Sequence, residues 1–333
     1  MMGGAILVAA LLAQAPPAFG VGVEEVRVDV SVTRRGTSLG GLVAEDFVLK
    51  DNGVPQRVEL VDRTATPTTL VLVLDRSASV SGRKLETLRS AARAFSRELR
   101  PQDEAAVLVF DHRIELLCPA GTDRAALSRA LDSPERGGAS SVIDALYLAL
   151  KRQWGTGLPL VVLFTDGQDT ASWLENETVV SAARESPVLL HVVATESRAL
   201  RFVRSAQGVG FSPTFADLGA NGRPGAGLTD HGSPPASEEG SSGRTLEDVV
   251  RAQSGYVSLL RRVAEITGGA YWAVDSDEHM EATFRRVLEA ANGRYVLRYE
   301  PQGVERRGLH RLEVSVRRRG VDVRARREYS IPN

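Results

Sequence analysis

Thr69-Leu70-Val71-Leu72-Val73-Leu74-Asp75-Arg76-Ser77-Ala78-Ser79-Val80 is the stretch on which the reading of the whole chain turns. Its first half is an uninterrupted apolar run, which fits a strand buried on both faces, as at the centre of a parallel sheet. The run stops abruptly at Asp75, Ser77 and Ser79. Three oxygen-bearing side chains on alternate positions past a central strand can converge on one point, and open α/β sheets place their ligands there. Carboxylate and hydroxyl oxygens suit a hard cation such as Mg²⁺.

Asp-x-Ser-x-Ser behind an apolar strand closely resembles the metal-ion-dependent adhesion site of the von Willebrand factor type A (VWA) family. Two further stretches match that family's pattern in the right order: Gly137-Gly138-Ala139-Ser140-Ser141-Val142-Ile143-Asp144-Ala145-Leu146 and Leu163-Phe164-Thr165-Asp166-Gly167. The short motif alone is common; three elements in order, two of them closing apolar strands, are specific. The resemblance implies that the second stretch supplies a hydroxyl to the metal and the third an aspartate, often through water. The family usually has threonine at the hydroxyl position, and the spacing to Asp144-Ala145-Leu146 best matches Ser140 to it, with Ser141 as the competing candidate. Serine keeps the hydroxyl but lacks the methyl that fixes its rotamer. The implied metal ligands are Asp75, Ser77, Ser79, Ser140 and Asp166, and the implied cofactor is Mg²⁺ or another divalent cation such as Mn²⁺. The implied mechanism leaves one coordination position open for an acidic side chain of a protein partner. Two carboxylates leave a divalent cation without surplus negative charge, so it stays attractive to such a ligand.

The 333 residues, 43% of them hydrophobic, are enough for one large or two ordinary domains. A net charge of −1 argues against binding nucleic acid by overall charge, and 5% aromatic content against a stacking surface for single strands. Cys118 is the only cysteine, which rules out an internal disulfide and Cys-rich zinc sites.

Outward from the central stretch, residues 3 to 13 form a short apolar segment and Ala13-Gln14-Ala15 has the spacing a signal peptidase reads, so residues 1–15 are expected to be a cleaved signal peptide. Export to the periplasm, the cell surface or the medium follows, with no membrane span in the mature chain. From 24 to 62 the pattern alternates: Val26, Val28, Val30 and Val32 share one face of a half-buried strand, and Asp51-Asn52-Gly53 makes a hairpin-type turn before a strand at Gln56 to Leu60. The acidic residues of this β module read as a solvated strand face. Gly41-Leu42-x-x-x-Asp46-Phe47, followed by Asp51-Asn52-Gly53-x-Pro55, resembles the region preceding the VWA domain in a bacterial subgroup of exported VWA-related proteins.

The main domain is expected over 67–292, with helices at Lys84 to Leu99, from a Thr122 cap to Leu131, from a Ser140 or Ser141 cap through Leu150, and around Thr178 to Arg184. Strands at Ala105 to Phe110, Ile114 to Leu117, Leu158 to Phe164 and Val188 to Ala194 alternate with them. That order predicts an α/β fold: a doubly wound, mostly parallel, Rossmann-like sheet with helices on both faces. His112 reads as a turn residue rather than a catalytic one. Residues 205–245, rich in Gly, Ser and Pro, are expected to be a mobile surface insertion. A helix ending at Ile266, a strand at Tyr271 to Val274 and a helix at Met280 to Ala291 complete the domain; Thr267-Gly268-Gly269-Ala270-Tyr271-Trp272 again resembles its end in that subgroup. From 293 to 333, β segments at Tyr295 to Tyr299, Leu309 to Val316 and Val321 to Tyr329 are expected to join the N-terminal strands in one β module, with the arginines between Arg306 and Arg327 on a solvated sheet face.

Other functions fare worse. Ser81-Gly82-Arg83-Lys84 matches a Ser-x-x-Lys pattern, but Ser-Asp-Asn and Lys-Thr-Gly are missing, as are Gly-x-Ser-x-Gly, Gly-x-x-x-x-Gly-Lys and His-Glu-x-x-His. A protein-binding module is the favoured reading and an enzyme is not; a scaffold with a degenerate metal site and a metal-assisted hydrolase are the alternatives.

Overall fold

A computed structural model describes residues 25–332 except 63–64, 79, 81, 134–136, 167, 196–245 and 275–276, and gives backbone alone at 83–84, 246–253, 277–278 and 281. The expected signal peptide, the expected insertion at 205–245 and Ser79 lie outside the described residues.

The apolar run forms β6 (Thr68–Asp75), every residue of which is buried. It lies between β7 (Glu104–Phe110) and β9 (Leu158–Thr165), parallel to both. The sheet continues through β10 (Leu189–Thr195) to β11 (Ala270–Val274), also parallel, and ends on the other side at antiparallel β8 (Ile114–Gly121). Because successive strand residues face opposite ways, Val71 and Val73 pack with α3 (Val142–Lys151), α4 (Asn176–Glu185) and the end of α5 (Leu246–Ile266), while Leu70, Leu72 and Leu74 pack against α1 (Arg83–Arg97), α2 (Arg124–Leu131) and α6 (Asp277–Asn292). Helices on both faces explain why this strand has no polar alternation. The α2 cap is Asp123, whose carboxylate accepts from the Ala125 and Ala126 amides at 2.9 and 3.0 Å, not the expected Thr122. Among the described residues no helix is long and apolar enough to cross a membrane.

Both flanks build a second body. One sheet runs β14 (Asp322–Ala325), β1 (Val26–Arg34), β12 (Arg294–Tyr299), β5 (Glu59–Leu60); the other runs β15 (Glu328–Ile331), β13 (Gly308–Val316), β3 (Phe47–Asp51), β4 (Val54–Gln56). Val26, Val28, Val30 and Val32 of β1 are buried together with Phe47, Leu49, Leu297 and Leu312, which is the core that the alternation foretold. The β3–β4 hairpin turns at Asn52 and Gly53, both at positive φ (46° and 82°), the backbone a tight primed turn demands.

Three expectations fail here. Gln56 to Leu60 is not one strand: β4 ends at Gln56, and β5 crosses to pair with β12. Val321 to Tyr329 likewise divides into β14 and β15 in different sheets, parted where Arg326 turns inward. Arg326 is 7% exposed and donates to the carbonyls of Ala183, Arg184 and Ser186 at 3.3, 3.1 and 3.2 Å, closing the C-terminal end of α4, so it leaves the solvated arginine face. Finally, Asp51 does not sit on a solvated face. It is wholly buried, accepting the Tyr299 and Tyr329 hydroxyls at 2.9 and 2.8 Å, with His310 Nδ1 2.9 Å from its other oxygen. Inward-facing tyrosines from two strands leave hydroxyls in the sandwich core, and those need an acceptor.

Candidate metal centre

Asp75 ends β6 and Asp166 follows β9, so adjacent parallel strands deliver two carboxylates to one end of the sheet. Asp75 is completely buried and Asp166 nearly so. Ser77 donates its amide to Asp75 Oδ1 at 2.9 Å, Ser140 its hydroxyl to Oδ2 at 3.3 Å, and Thr165 its hydroxyl to Oδ2 at 2.8 Å. Of the expected ligands the structure therefore gathers Asp75, Ser77, Ser140 and Asp166, while Ser79 lies outside the described residues. Between the two candidate serines, it is Ser140 whose hydroxyl meets Asp75; the Ser141 amide is tied to the Asp111 carbonyl at 2.9 Å.

Burial, first, and the Asp166 charge, second, push the Asp75 carboxyl up to about 7, against the hydrogen bonds from Ser77 and Thr165 that favour its ionised form. A buried carboxylate pair held among neutral hydroxyls calls for positive charge. Hard oxygen donors of this kind fit Mg²⁺ or Mn²⁺. Among the described residues no group of three or more His, Cys, Asp or Glu side chains gathers in the manner of an all-charged or imidazole metal site, so any cation here rests on two carboxylates plus hydroxyls.

The loop carrying Ser140 is fixed from both sides. Gly137 and Gly138, at φ 82° and 122°, run against the turn after β6: the Gly137 amide reaches the Arg76 carbonyl at 3.1 Å and the Ala78 amide the Gly138 carbonyl at 3.2 Å. A Cβ on Gly138 would lie 3.1 Å from His112 Nδ1. His112 is therefore not a free turn residue; it lies over this loop, 3.2 Å from the Asp111 carboxylate. On the other side, the loop after β9 accounts for the start of α3. Thr170 Oγ1 accepts from the Ser140 amide at 2.9 Å, and the Thr170 and Ala171 amides return to the Ser140 carbonyl at 2.8 and 3.0 Å. Asp169 accepts from the Val142 amide at 2.9 Å, Ser172 Oγ from the Ile143 and Asp144 amides at 3.1 and 3.2 Å, and Ser172 donates to Asp169 at 2.6 Å. So α3 is capped from a distant loop rather than by its own Ser140 or Ser141; Ser141, at the cap position, makes no side-chain cap bond. Asp144 answers by accepting the Trp173 and Leu174 amides at 3.0 Å.

Thr165, Asp169, Thr170 and Ser172 are the residues that sequence reasoning missed. Their only local signal was the polar run from Thr165, the last residue of β9, to Ser172, and ordinary turns favour the same residue types.

The family model for the von Willebrand factor type A domain matches residues 70–168, spanning every candidate ligand from Asp75 to Asp166. An uncharacterised protein of Synechocystis sp. is 31% identical over 108 residues, 31% of this chain and 26% of that protein. Inter-alpha-trypsin inhibitor heavy chain H4 of Homo sapiens is 26% identical over 137 residues, 37% of this chain and 15% of that protein. The chain thus aligns with about a quarter of the first relative's length and less of the second's. Among solved structures, BatB from Bacteroides thetaiotaomicron has TM-score 0.42 and 14% identity over 68% of this chain and 99% of that one. Proximal thread matrix protein 1 from the mussel byssus, with a zinc-occupied metal-ion-dependent adhesion motif, has TM-score 0.46 and 14% identity over 72% of this chain and 49% of that one. A von Willebrand factor type A protein from Catenulispora acidiphila has TM-score 0.46 and 10% identity over 94% of this chain and 76% of that one. Residues 70–168, with the parallel sheet and the loops that gather Asp75, Ser77, Ser140 and Asp166, belong to the von Willebrand factor type A domain family.

Proposed function

We propose that this chain is a metal-dependent protein-binding module, in which Asp75, Ser77, Ser79, Ser140 and Asp166 hold a Mg²⁺ or Mn²⁺ ion and a partner's acidic side chain completes the site. When bound, the ion supplies a Lewis-acidic position for that carboxylate. The chain's own residues do the rest. β6 and β9 fix the two carboxylates, the hydroxyls of Ser77 and Ser140 complete the donor set, and Thr165 holds Asp75 in one rotamer. The observation that carries the reading is the buried Asp75–Asp166 pair, in which burial first and the Asp166 charge second raise the Asp75 carboxyl. The N-terminal apolar segment supports an exported protein acting in the periplasm, at the cell surface or in the medium.

Calorimetric titration of the protein with Mg²⁺, beside Asp166→Ala, tests this reading. One-site binding in the parent and none in the variant is the expected result. Absence of heat in the parent, with a melting temperature that added Mg²⁺ and Mn²⁺ leave unchanged, would replace it with a scaffold whose metal site is degenerate.

A further inference from the structure

Trp173 stands on the loop that positions Ser140, and it is 94% exposed. Among the described residues the other exposed large hydrophobic side chains are Val43 and Leu309, at about half that exposure, and tryptophan is the residue type most often found as the anchor of a protein interface. Its backbone is not loose. The Trp173 and Leu174 amides are held by Asp144 in the first turn of α3, and three residues earlier Thr170 is bonded to both the amide and the carbonyl of Ser140. The backbone that carries the indole is thus tied to that of a proposed metal ligand, so little backbone entropy is lost when the indole is covered.

The surroundings of the site suit an extended polypeptide. Ala78, which follows Ser77, and Gly138 and Ala139, which precede Ser140, are exposed and offer no bulk to bar a main chain from approaching. His112, whose Nδ1 lies 3.1 Å from where a Cβ on Gly138 would stand, and its chain neighbour Arg113 are both exposed, and the Arg113 guanidinium complements an acidic ligand.

From this arrangement we infer that Trp173 is a partner-binding residue, and that the partner is an extended acidic segment carrying an apolar side chain a few residues from the carboxylate that enters the metal site. The inference rests on the metal-dependent binding reading above and specifies its partner. The carboxylate supplies metal dependence, and the apolar side chain covers the indole and supplies most of the selectivity.

The test is selection of random twelve-residue peptides displayed on phage against the full chain in Mg²⁺, with release by EDTA. The released peptides are expected to share an acid with an apolar residue two to five positions away, and to bind Trp173→Ala at least tenfold more weakly by fluorescence polarisation. Trp173→Ala should keep the parent's Mg²⁺ affinity and melting temperature, because only an exposed side chain is removed. EDTA-released peptides that bind the variant as well as the parent, or that share an acid without the apolar residue, would overturn the role of Trp173 and leave the metal-dependent reading intact. If EDTA releases no peptides from the parent, the metal-dependent reading fails, and the role of Trp173 fails with it.

Discussion

Asp75 and Asp51 are both fully buried aspartates at the end of a strand, yet their surroundings differ in kind. Asp51 is saturated by two tyrosine hydroxyls and an imidazole, in a core closed on all sides. Asp75 has neutral hydroxyls and an amide, and its own burial first and a second buried carboxylate beside it raise its proton affinity. The first arrangement is complete as it stands and holds two sheets together. The second leaves two carboxylates side by side, which a proton on Asp75 or, under the proposed function, a cation would neutralise. Burial of a carboxylate therefore says little by itself; the partners decide whether it is structural or a site.

The comparison is broken most directly by removing each carboxylate. Asp51→Ala strips Tyr299, Tyr329 and His310 of their shared acceptor, and denaturant unfolding should show a loss of roughly 3–5 kcal/mol with Mg²⁺ affinity unchanged in whatever fraction remains folded. Asp75→Asn should do the reverse: unfolding of the metal-free protein at pH 8 should need at least as much free energy as in the parent, while stabilisation by added Mg²⁺ disappears. If both variants lost stability equally, Asp75 would be another structural residue.

A pH series sharpens the contrast. The folded Asp75 carboxyl holds its proton up to about 7, against an ordinary value of 3.8, so its contribution to metal-free stability is fully present below pH 4 and is lost as pH rises through 7. Mg²⁺ must displace that proton, so its affinity should rise close to tenfold per pH unit up to about 7 and then level off, as titration calorimetry in matched buffers would read. An affinity flat from pH 5 to 8 would mean that Asp75 is not the ligand.

The smallest effect concerns the support of the site. Asp169→Ala removes the acceptor for the Val142 amide and for the Ser172 hydroxyl, and should cost about 1 kcal/mol of stability, as a lost helix cap does. Because the same loop orients Ser140, Mg²⁺ affinity should fall several-fold without being abolished.

The parallel sheet was legible because β6 and β9 carry apolar residues on both faces, a pattern only a doubly covered sheet explains. Asp75, Ser77 and Asp166 could be singled out because they stand at fixed offsets from those strand ends, and Ser140 because of its spacing to Asp144-Ala145-Leu146. Asp169, Thr170 and Ser172 could not, because they cap a helix that starts some thirty residues earlier, and no local pattern records a partner at that separation. Asp51 was misread for a related reason: the hairpin Asp-Asn-Gly is a local signal, whereas the tyrosines that bury it come from strands roughly 250 residues on. Arg326 shows the same limit, since the α4 carbonyls that draw it inward lie about 140 residues away.

Those separations also set an order of events. β1 finds its partners in β12 and β14, with Val26 opposite Tyr299 and Val32 opposite Val323, so the sandwich cannot close until the whole of the intervening chain has been gathered. The parallel sheet makes its contacts within the interval between β5 and β12. Closing the long loop first would carry the full entropic cost of that interval, whereas a folded sheet already brings the two flanks near each other. On a ribosome, β1 and the β3–β4 hairpin therefore emerge before their partners β12 and β13. The joining of the two flanks is therefore expected to be the last step of folding, and the Asp51 cluster, which draws on β3, β12, β13 and β15, the lock that forms with it.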